Sequence, residues 1–174
     1  MKVKMNKKII SLLMVFCLLA VALSAQTVFA TGETIVSVPG SIDAAPGETI
    51  DVPITLEDVP AAGIGSGLLV VTFDNTKMSF EGATSGPIVN SDDDIDANGV
   101  GNHVYLLYLD FEQSSSSHIS SDGILATLHF TINENCPEGT YGLTVDKDGD
   151  SPAFYTPQFA GVDAIFNNGS IVVE

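Results

Sequence analysis

Hydrolysis by a serine nucleophile would need a neighbouring base, and three histidines are the candidates for that role. His103 and His129 lie in segments that the residue pattern predicts as strands, and His118 follows a run of four serines. No Gly-x-Ser-x-Gly turn is present to expose a nucleophile. Paired carboxylates could hydrolyse glycosides, but 22 acidic residues allow so many pairs that none is indicated. We therefore interpret the histidines as ordinary sheet and surface residues and expect a protein that is not an enzyme.

Two acidic segments have the ligand spacing of a calcium-binding loop. Asp94-x-Asp96-x-Asn98-Gly99 copies the first half of an EF-hand loop, but Tyr105 stands where the bidentate glutamate belongs. Asp146-x-Asp148-x-Asp150 has Ser151 in place of the glycine that makes the sharp turn. Zinc is disfavoured by the scarcity of cysteine and the scattered histidines. We interpret both segments as solvated acidic turns and expect no metal or other cofactor on this chain.

Carbohydrate binding is an alternative function that the sequence leaves open. Secreted β-sandwiches bind glycans through exposed aromatic platforms, and this chain has no Trp. Tyr105 and Tyr155 are the aromatic residues that could stack on a sugar ring. A direct sugar-binding module is therefore kept as the second hypothesis.

The first 30 residues have the pattern of a secretory signal peptide. Four lysines fall within the first eight positions, an apolar run extends from Ile9 to Leu23, and Val28-Phe29-Ala30 ends in a small residue. We predict a signal peptide over residues 1–30 and a single domain over residues 31–174. Cys17 belongs to the signal, so Cys136 is left without an intrachain disulfide partner.

The charge of the predicted mature chain excludes several classes of partner. It keeps Lys77 and Lys147 against all 22 acidic residues, a net charge of −20. Such a surface repels nucleic-acid phosphates and anionic lipids. No second apolar run is long enough to insert into a membrane. We expect a secreted protein that is monomeric until it meets its partner.

The mature sequence alternates in the manner of an all-β protein. Short runs rich in Val, Ile, Thr and Phe are separated by Gly, Pro, Asn and Asp about every ten residues. In Ser66 to Phe73, one face carries Leu69, Val71 and Phe73, and the other carries polar and aliphatic residues in turn. Such half-buried strands predict a two-sheet antiparallel β-sandwich.

One predicted strand is apolar on both of its sides. From His103 to Leu109, Val104, Leu106 and Tyr108 form one face, whereas Tyr105, Leu107 and Leu109 form the other. A surface strand without a polar face is typical of a covered or partner-binding surface. Periodicity alone does not distinguish a partner from a covering loop.

Several segments, in order along the chain, resemble the cohesin family. Ala45 to Leu56 resembles the opening turn and Val-Pro strand of a cohesin, and Gly63 to Asp74 is similar to its third strand. Asp122 to Phe130 resembles the sixth strand, and Asn168 to Val173 the closing strand. The resemblance implies a nine-stranded jelly-roll sandwich. It also implies a non-catalytic receptor for dockerin modules in cellulosome assemblies that degrade plant polysaccharides, with calcium carried by the dockerin.

The resemblance further implies a docking surface on strands three, five and six. Asp110 is expected at its polar rim, and strand six is taken as the one that begins near Leu125. The implied dockerin-binding residues are Ser66, Leu68, Val70, Thr72, Tyr105, Leu107, Leu109, Asp110, Leu125, Thr127 and His129.

The signal peptide gives the first testable prediction. Because the small residue Ala30 ends the apolar stretch, we expect cleavage before Thr31. Amino-terminal sequencing of the exported protein should begin at Thr31. Retention of the segment Lys2 to Lys8 in the exported protein would contradict the prediction.

Overall fold

The computed structural model describes residues 33–112 and 117–174, so the predicted signal peptide over residues 1–30 lies outside the described residues. A 3-10 turn, Asp92–Asp94, precedes one of the strands. The described ranges contain no helix long and apolar enough to cross a membrane. Their thirteen strands are β1 Thr34–Ser37, β2 Ile42–Ala44, β3 Thr49–Glu57, β4 Ser66–Thr72, β5 Met78–Ser85, β6 Ile95–Val100, β7 His103–Leu109, β8 Gly123–Ile132, β9 Gly139–Lys147, β10 Phe154–Tyr155, β11 Gly161–Val162, β12 Ala164–Asn167 and β13 Gly169–Val173.

The strands form two sheets, which confirms the predicted β-sandwich. The smaller sheet has the order β12-β1-β3-β8-β5. The larger sheet runs β11-β10-β4-β9-β13-β2, and β7 pairs with β4 while β6 pairs with β7. All pairings are antiparallel except β1 with β12 and β13 with β2. The number of strands exceeds nine because short strands such as β2, β10 and β11 extend the edges.

Alternating apolar side chains from both sheets fill the space between them. In β4 the buried positions are Gly67, Leu69 and Val71. Phe130 of β8 is fully buried, and its ring packs edge-on against Phe73 at 5.0 Å and Phe80 at 5.6 Å between centroids. Burying a side chain of this size stabilises a fold by roughly 1.5–3 kcal/mol. The shared core holds the larger sheet rigidly from behind.

A bulge in the smaller sheet moves Leu125 into the core. Ile54 pairs with Ala126 but Thr55 pairs with Ile124, so Leu125 has no partner on β3. Such a bulge interrupts the strict alternation of the strand, and Leu125 and Ala126 are both fully buried. The prediction that Leu125 belongs to the docking surface is therefore wrong, because the bulge turns its side chain into the core.

The predicted grouping of Thr127 and His129 with β4 and β7 is also wrong. Both residues lie on β8, which belongs to the smaller sheet between β3 and β5. The position beside β7 is occupied by β6, which overlaps the acidic segment that was predicted to be a solvated turn. Because β8 packs against the opposite side of the core, its outward residues face away from β4 and β7.

Candidate protein-binding surface

The antiparallel pair of β4 and β7 positions the candidate site. The two strands pair over seven residues, and each outward residue of β4 stands opposite an outward residue of β7: Ser66 opposite Leu109, Leu68 opposite Leu107, Val70 opposite Tyr105 and Thr72 opposite His103. We call the outward surface formed by Ser66, Leu68, Val70, Thr72, Tyr105, Leu107 and Leu109 the plateau. These seven residues were all predicted for the site, and the structure brings them together on one sheet.

The centre of the plateau is aliphatic. Leu68, Val70 and Leu109 are half-buried, and Leu107 is 38% exposed. The inward side chains of the same strands, among them Leu69 and Leu106, are buried in the core. Apolar side chains are stabilised by removal from water, and here they lie on both faces of the strand. The arrangement therefore indicates a surface that another molecule covers.

The strands that flank the plateau give it polar edges. On one side Asp96 and Asn98 of β6 stand opposite Leu107 and Tyr105. On the other side Thr144 and Asp146 of β9 stand opposite Thr72 and Val70. All four are exposed. The surface thus has an apolar centre and a polar, partly acidic rim, the usual anatomy of a protein interface.

Strand β6 was missed because its composition resembles a loop. The segment Ile95–Val100 reads Ile-Asp-Ala-Asn-Gly-Val, and Asp, Asn and Gly are all depleted in strands. The available signal was the alternation of Ile95 and Ala97, which are half-buried, with Asp96 and Asn98. Pairing with β7 stabilises the strand although its own residues have a weak preference for strand structure.

The geometry around Asp94 separates the residues of the half EF-hand motif. Asp94 ends the 3-10 turn and is buried, and its Oδ1 accepts a hydrogen bond from the Phe111 N–H at 3.3 Å. Asp96 and Asn98 instead project from the exposed face of β6. Among residues 33–112 and 117–174, no three His, Cys, Asp or Glu side chains are grouped to hold a metal ion.

Asp110 does not lie on the rim as predicted. It is 4% exposed, and its Oδ2 accepts a hydrogen bond of 2.8 Å from the Ser117 hydroxyl. The chain turns inward after Leu109, where the Asp110 N–H donates to the Gly65 carbonyl at 3.0 Å. Burial, together with the carboxylate of Asp110, raises the pKa of the Tyr108 phenol well above its ordinary range. Asp110 therefore anchors the end of β7, and little of the residue remains exposed.

One corner of the plateau is fixed by a polar contact. His103 Nδ1 and Thr72 Oγ1 are 2.9 Å apart across the β4–β7 pair. The rings of His103 and Tyr105 are tilted towards each other, with centroids 6.3 Å apart. These contacts hold the corner side chains in place before any partner arrives.

Residues on the smaller sheet form a separate polar group. His129 Nδ1 is 2.7 Å from Asp51 Oδ1, and its Nε2 is 3.3 Å from Thr84 Oγ1. Thr127 is half-buried on the same strand, between Pro53 and Thr84. Both residues lie in the cross-strand pairs of an antiparallel sheet, which agrees with the interpretation of His129 as a sheet residue.

Of the five large apolar residues that are exposed in the described part of the chain, four lie on the larger sheet or in segments that adjoin its strands, and the fifth, Ile165, lies on the smaller sheet. Among the described residues they are Val100, Leu107, Phe111, Phe159 and Ile165. Leu107 lies at the plateau centre, Val100 ends the flanking β6, and Phe111 follows the end of β7. Phe159, in the turn between β10 and β11, lines a depression together with Leu109 and Ser66. Neither phenylalanine was predicted, because both lie outside the alternating strands.

A rigid sandwich with an aliphatic plateau and polar edges defines a protein-recognition module. The family model for the cohesin domain matches residues 35–173, so the chain belongs to the cohesin family. It is 27% identical over 139 residues to cellulosomal-scaffolding protein A of Acetivibrio thermocellus, covering 77% of this chain. It is 29% identical over 157 residues to the cellulosome-anchoring protein of the same organism, covering 83% of this chain. The matches span 7% and 35% of those two relatives.

Solved structures agree with the family assignment. The sixth cohesin of scaffoldin B from Acetivibrio cellulolyticus, solved in complex with a Cel5 dockerin variant, is 25% identical with a TM-score of 0.73. That alignment covers 82% of this chain and 100% of the solved cohesin. A cohesin from Clostridium acetobutylicum is 28% identical with a TM-score of 0.67, over 81% of this chain and 90% of that one.

The register of β7 can be tested with two adjacent arginine substitutions. Leu106 is 1% exposed and points into the core, so Leu106→Arg would bury an unpaired charge and should destabilise the domain by at least about 4 kcal/mol. Leu107→Arg places its charge on the outer face and should change stability by less than about 0.5 kcal/mol. Thermal melts of both variants provide the measurement. A folded Leu106→Arg variant beside an unfolded Leu107→Arg variant would mean that the strand is in the opposite register.

Proposed function

We propose that this chain is a non-catalytic receptor domain whose plateau binds the dockerin module of a partner protein. The observation that carries the proposal is the aliphatic centre formed by Leu68, Val70, Leu107 and Leu109 on the outer face of a cohesin fold. The structurally similar cohesin from Acetivibrio cellulolyticus, which was solved with a dockerin, supports the same class of partner.

Binding would rely on a surface that is formed before the partner arrives. The plateau lies on two strands held by a full antiparallel ladder, and the core beneath it contains Leu69, Val71 and Leu106. Little backbone entropy is then lost on docking, so more of the contact energy remains as affinity. A helical face of the dockerin that presents aliphatic side chains would exclude water from the plateau centre.

Electrostatics would favour a basic rim on the dockerin. Asp96 and Asp146 border the plateau on opposite sides, and the described residues contain only two cationic lysines, Lys77 and Lys147. Complementary charge mainly accelerates association and selects partners. The association rate should therefore fall as salt screens these carboxylates.

The sugar-binding alternative has less support. Tyr105 stands opposite Val70 and Tyr155 opposite Ser66, so the two rings are four residues apart along β4. At about 3.3 Å per residue this separation is roughly 13 Å. The aliphatic pair Leu68 and Leu107 occupies the sheet between them. The tyrosines therefore do not form the continuous aromatic platform that a sugar chain needs.

The setting of the proposed interaction is extracellular. The predicted signal peptide and the relatives named for cellulosomal scaffolding and anchoring support export to a surface assembly that degrades plant polysaccharide. We propose that the chain is monomeric before docking and folds without a metal, while calcium belongs to the dockerin. The chain covers a small share of those relatives, so its place in a larger assembly is part of the proposal.

Leu107→Arg tests the docking role of the plateau. A charge at the centre of a desolvated contact should weaken dockerin binding by roughly 2–5 kcal/mol, or about 30- to 4,000-fold in Kd. Calorimetric titration with calcium-loaded dockerins encoded in the same genome measures the change.

The control for this titration is Ile165→Arg, which adds the same charge at an exposed apolar position on the smaller sheet. It should bind as the unmodified protein does. Normal binding by Leu107→Arg, or an equal loss in both variants, would reject the plateau as the docking surface.

A further inference from the structure

Phe159 is held in a backbone conformation that phenylalanine disfavours. Its φ is 61°, and Asp58 is the other non-glycine residue with positive φ among the described residues. The turn is closed by Thr156, whose N–H donates to the Ala160 carbonyl at 2.9 Å and whose carbonyl accepts from the Phe159 N–H at 2.8 Å. The Thr156 hydroxyl accepts a further hydrogen bond of 3.1 Å from the Ala160 N–H. Three hydrogen bonds therefore close the turn, and its unfavourable backbone conformation falls on Phe159.

Burial does not compensate for this strain in the free protein. The Phe159 side chain is 79% exposed, so it removes little apolar surface from water. Glycine would adopt the same φ without a steric penalty. A large apolar side chain that is both strained and exposed is unfavourable for folding on two separate grounds. Such a residue points to a role outside the stability of the fold.

The position of Phe159 connects it to the plateau. It lines a depression of about 140 Å³ whose other walls are formed by the apolar residues Leu109 and Pro157 and by Gly65, Ser66, Asp110 and Thr156. Leu109 and Ser66 are the plateau residues at the end where β7 finishes. Phe111, 66% exposed, follows β7 two residues after Leu109. The apolar surface therefore continues past the last paired residues of β4 and β7.

We propose that Phe159 and Phe111 extend the docking surface and that Phe159 selects the partner by enclosing an aliphatic side chain of the dockerin against Leu109. This inference rests on the proposed function and adds a specificity-determining contact to it. The occupant is a dockerin helix end that carries aliphatic and basic side chains. Charge complementarity supports this choice, because Glu112 follows Phe111 and Asp96 and Asp146 border the plateau.

Because Phe159 is strained, its replacement by glycine should stabilise the free protein and weaken dockerin binding, and these two effects can be measured separately. Phe159→Gly removes the unfavourable φ together with the aromatic contact. In the free protein the relief of strain should dominate, and Tm should rise by about 2–4 °C. In the complex the lost contact should dominate, and Kd should weaken by about tenfold or more. A residue that merely supports the fold would lower stability when it is replaced.

The experiment compares thermal melts and calorimetric titrations of four proteins: the unmodified chain, Phe159→Gly, Asp58→Gly and Ile165→Ala. The titrant is the calcium-loaded dockerin that binds the unmodified chain most tightly. Asp58→Gly relieves a positive φ on the loop after β3, and Ile165→Ala removes an exposed apolar side chain from the smaller sheet. Both controls should keep the Kd of the unmodified chain.

The expected result is a higher Tm and a weaker Kd for Phe159→Gly alone. An unchanged Kd for Phe159→Gly would overturn the inference while leaving the plateau as the docking surface. A lower Tm for that variant would also overturn it, because Phe159 would then be a structural residue. Failure of the unmodified chain to bind any calcium-loaded dockerin would overturn the proposed function and, with it, this inference.

Discussion

The antiparallel pairing of β4 with β7 is the interaction on which the rest of this structure depends. Seven residue pairs fix the register from Ser66 opposite Leu109 to Thr72 opposite His103. One side of that ladder supplies Leu69, Val71 and Leu106 to the core, and the other side supplies the plateau. Because side chains alternate with a period of two, a slip of one residue would exchange the core and the surface. Folding and recognition are thus set by the same register.

The core makes the plateau rigid, and the acidic surface restricts the partners that can bind to it. Packing of Phe130 against Phe73 and Phe80 holds the sandwich together behind the larger sheet, so the plateau is not remodelled easily. The carboxylates of Asp96 and Asp146 at its edges oppose association with another acidic surface. A flat apolar centre provides affinity, and a charged rim restricts which partners approach.

Alternation allowed the sequence to predict the plateau but not its surroundings. Ser66, Leu68, Val70 and Thr72 were placed correctly on one face because β4 alternates without interruption. Leu125 was misplaced because a bulge between Ile54 and Thr55 is a pairing property that involves two distant strands. Strand β6 was taken for a loop because its stability comes from its neighbour β7 and not from its own residues. Non-local pairing overrides local preference at these positions.

Asp110 and Phe159 show a second reason why the sequence did not predict the whole site. Asp110 became buried through hydrogen bonds with Ser117 and the Gly65 carbonyl, which only the folded path of the chain brings together. Phe159 lies in a turn whose positive φ has no signature in the residue type, since phenylalanine rarely adopts it. Strained and buried polar positions are where local rules fail, and they are also where function can be concentrated.

The most direct test of the central claim is to map dockerin binding by NMR on methyl-labelled protein. The claim predicts that the largest methyl shift changes occur at Leu68, Val70, Leu107 and Leu109, while the exposed methyl groups of Ile165 on the smaller sheet remain unchanged. Shift changes centred on Ile165 and Thr127, with the four plateau residues unaffected, would contradict it. That result would place the partner on the opposite side of the sandwich.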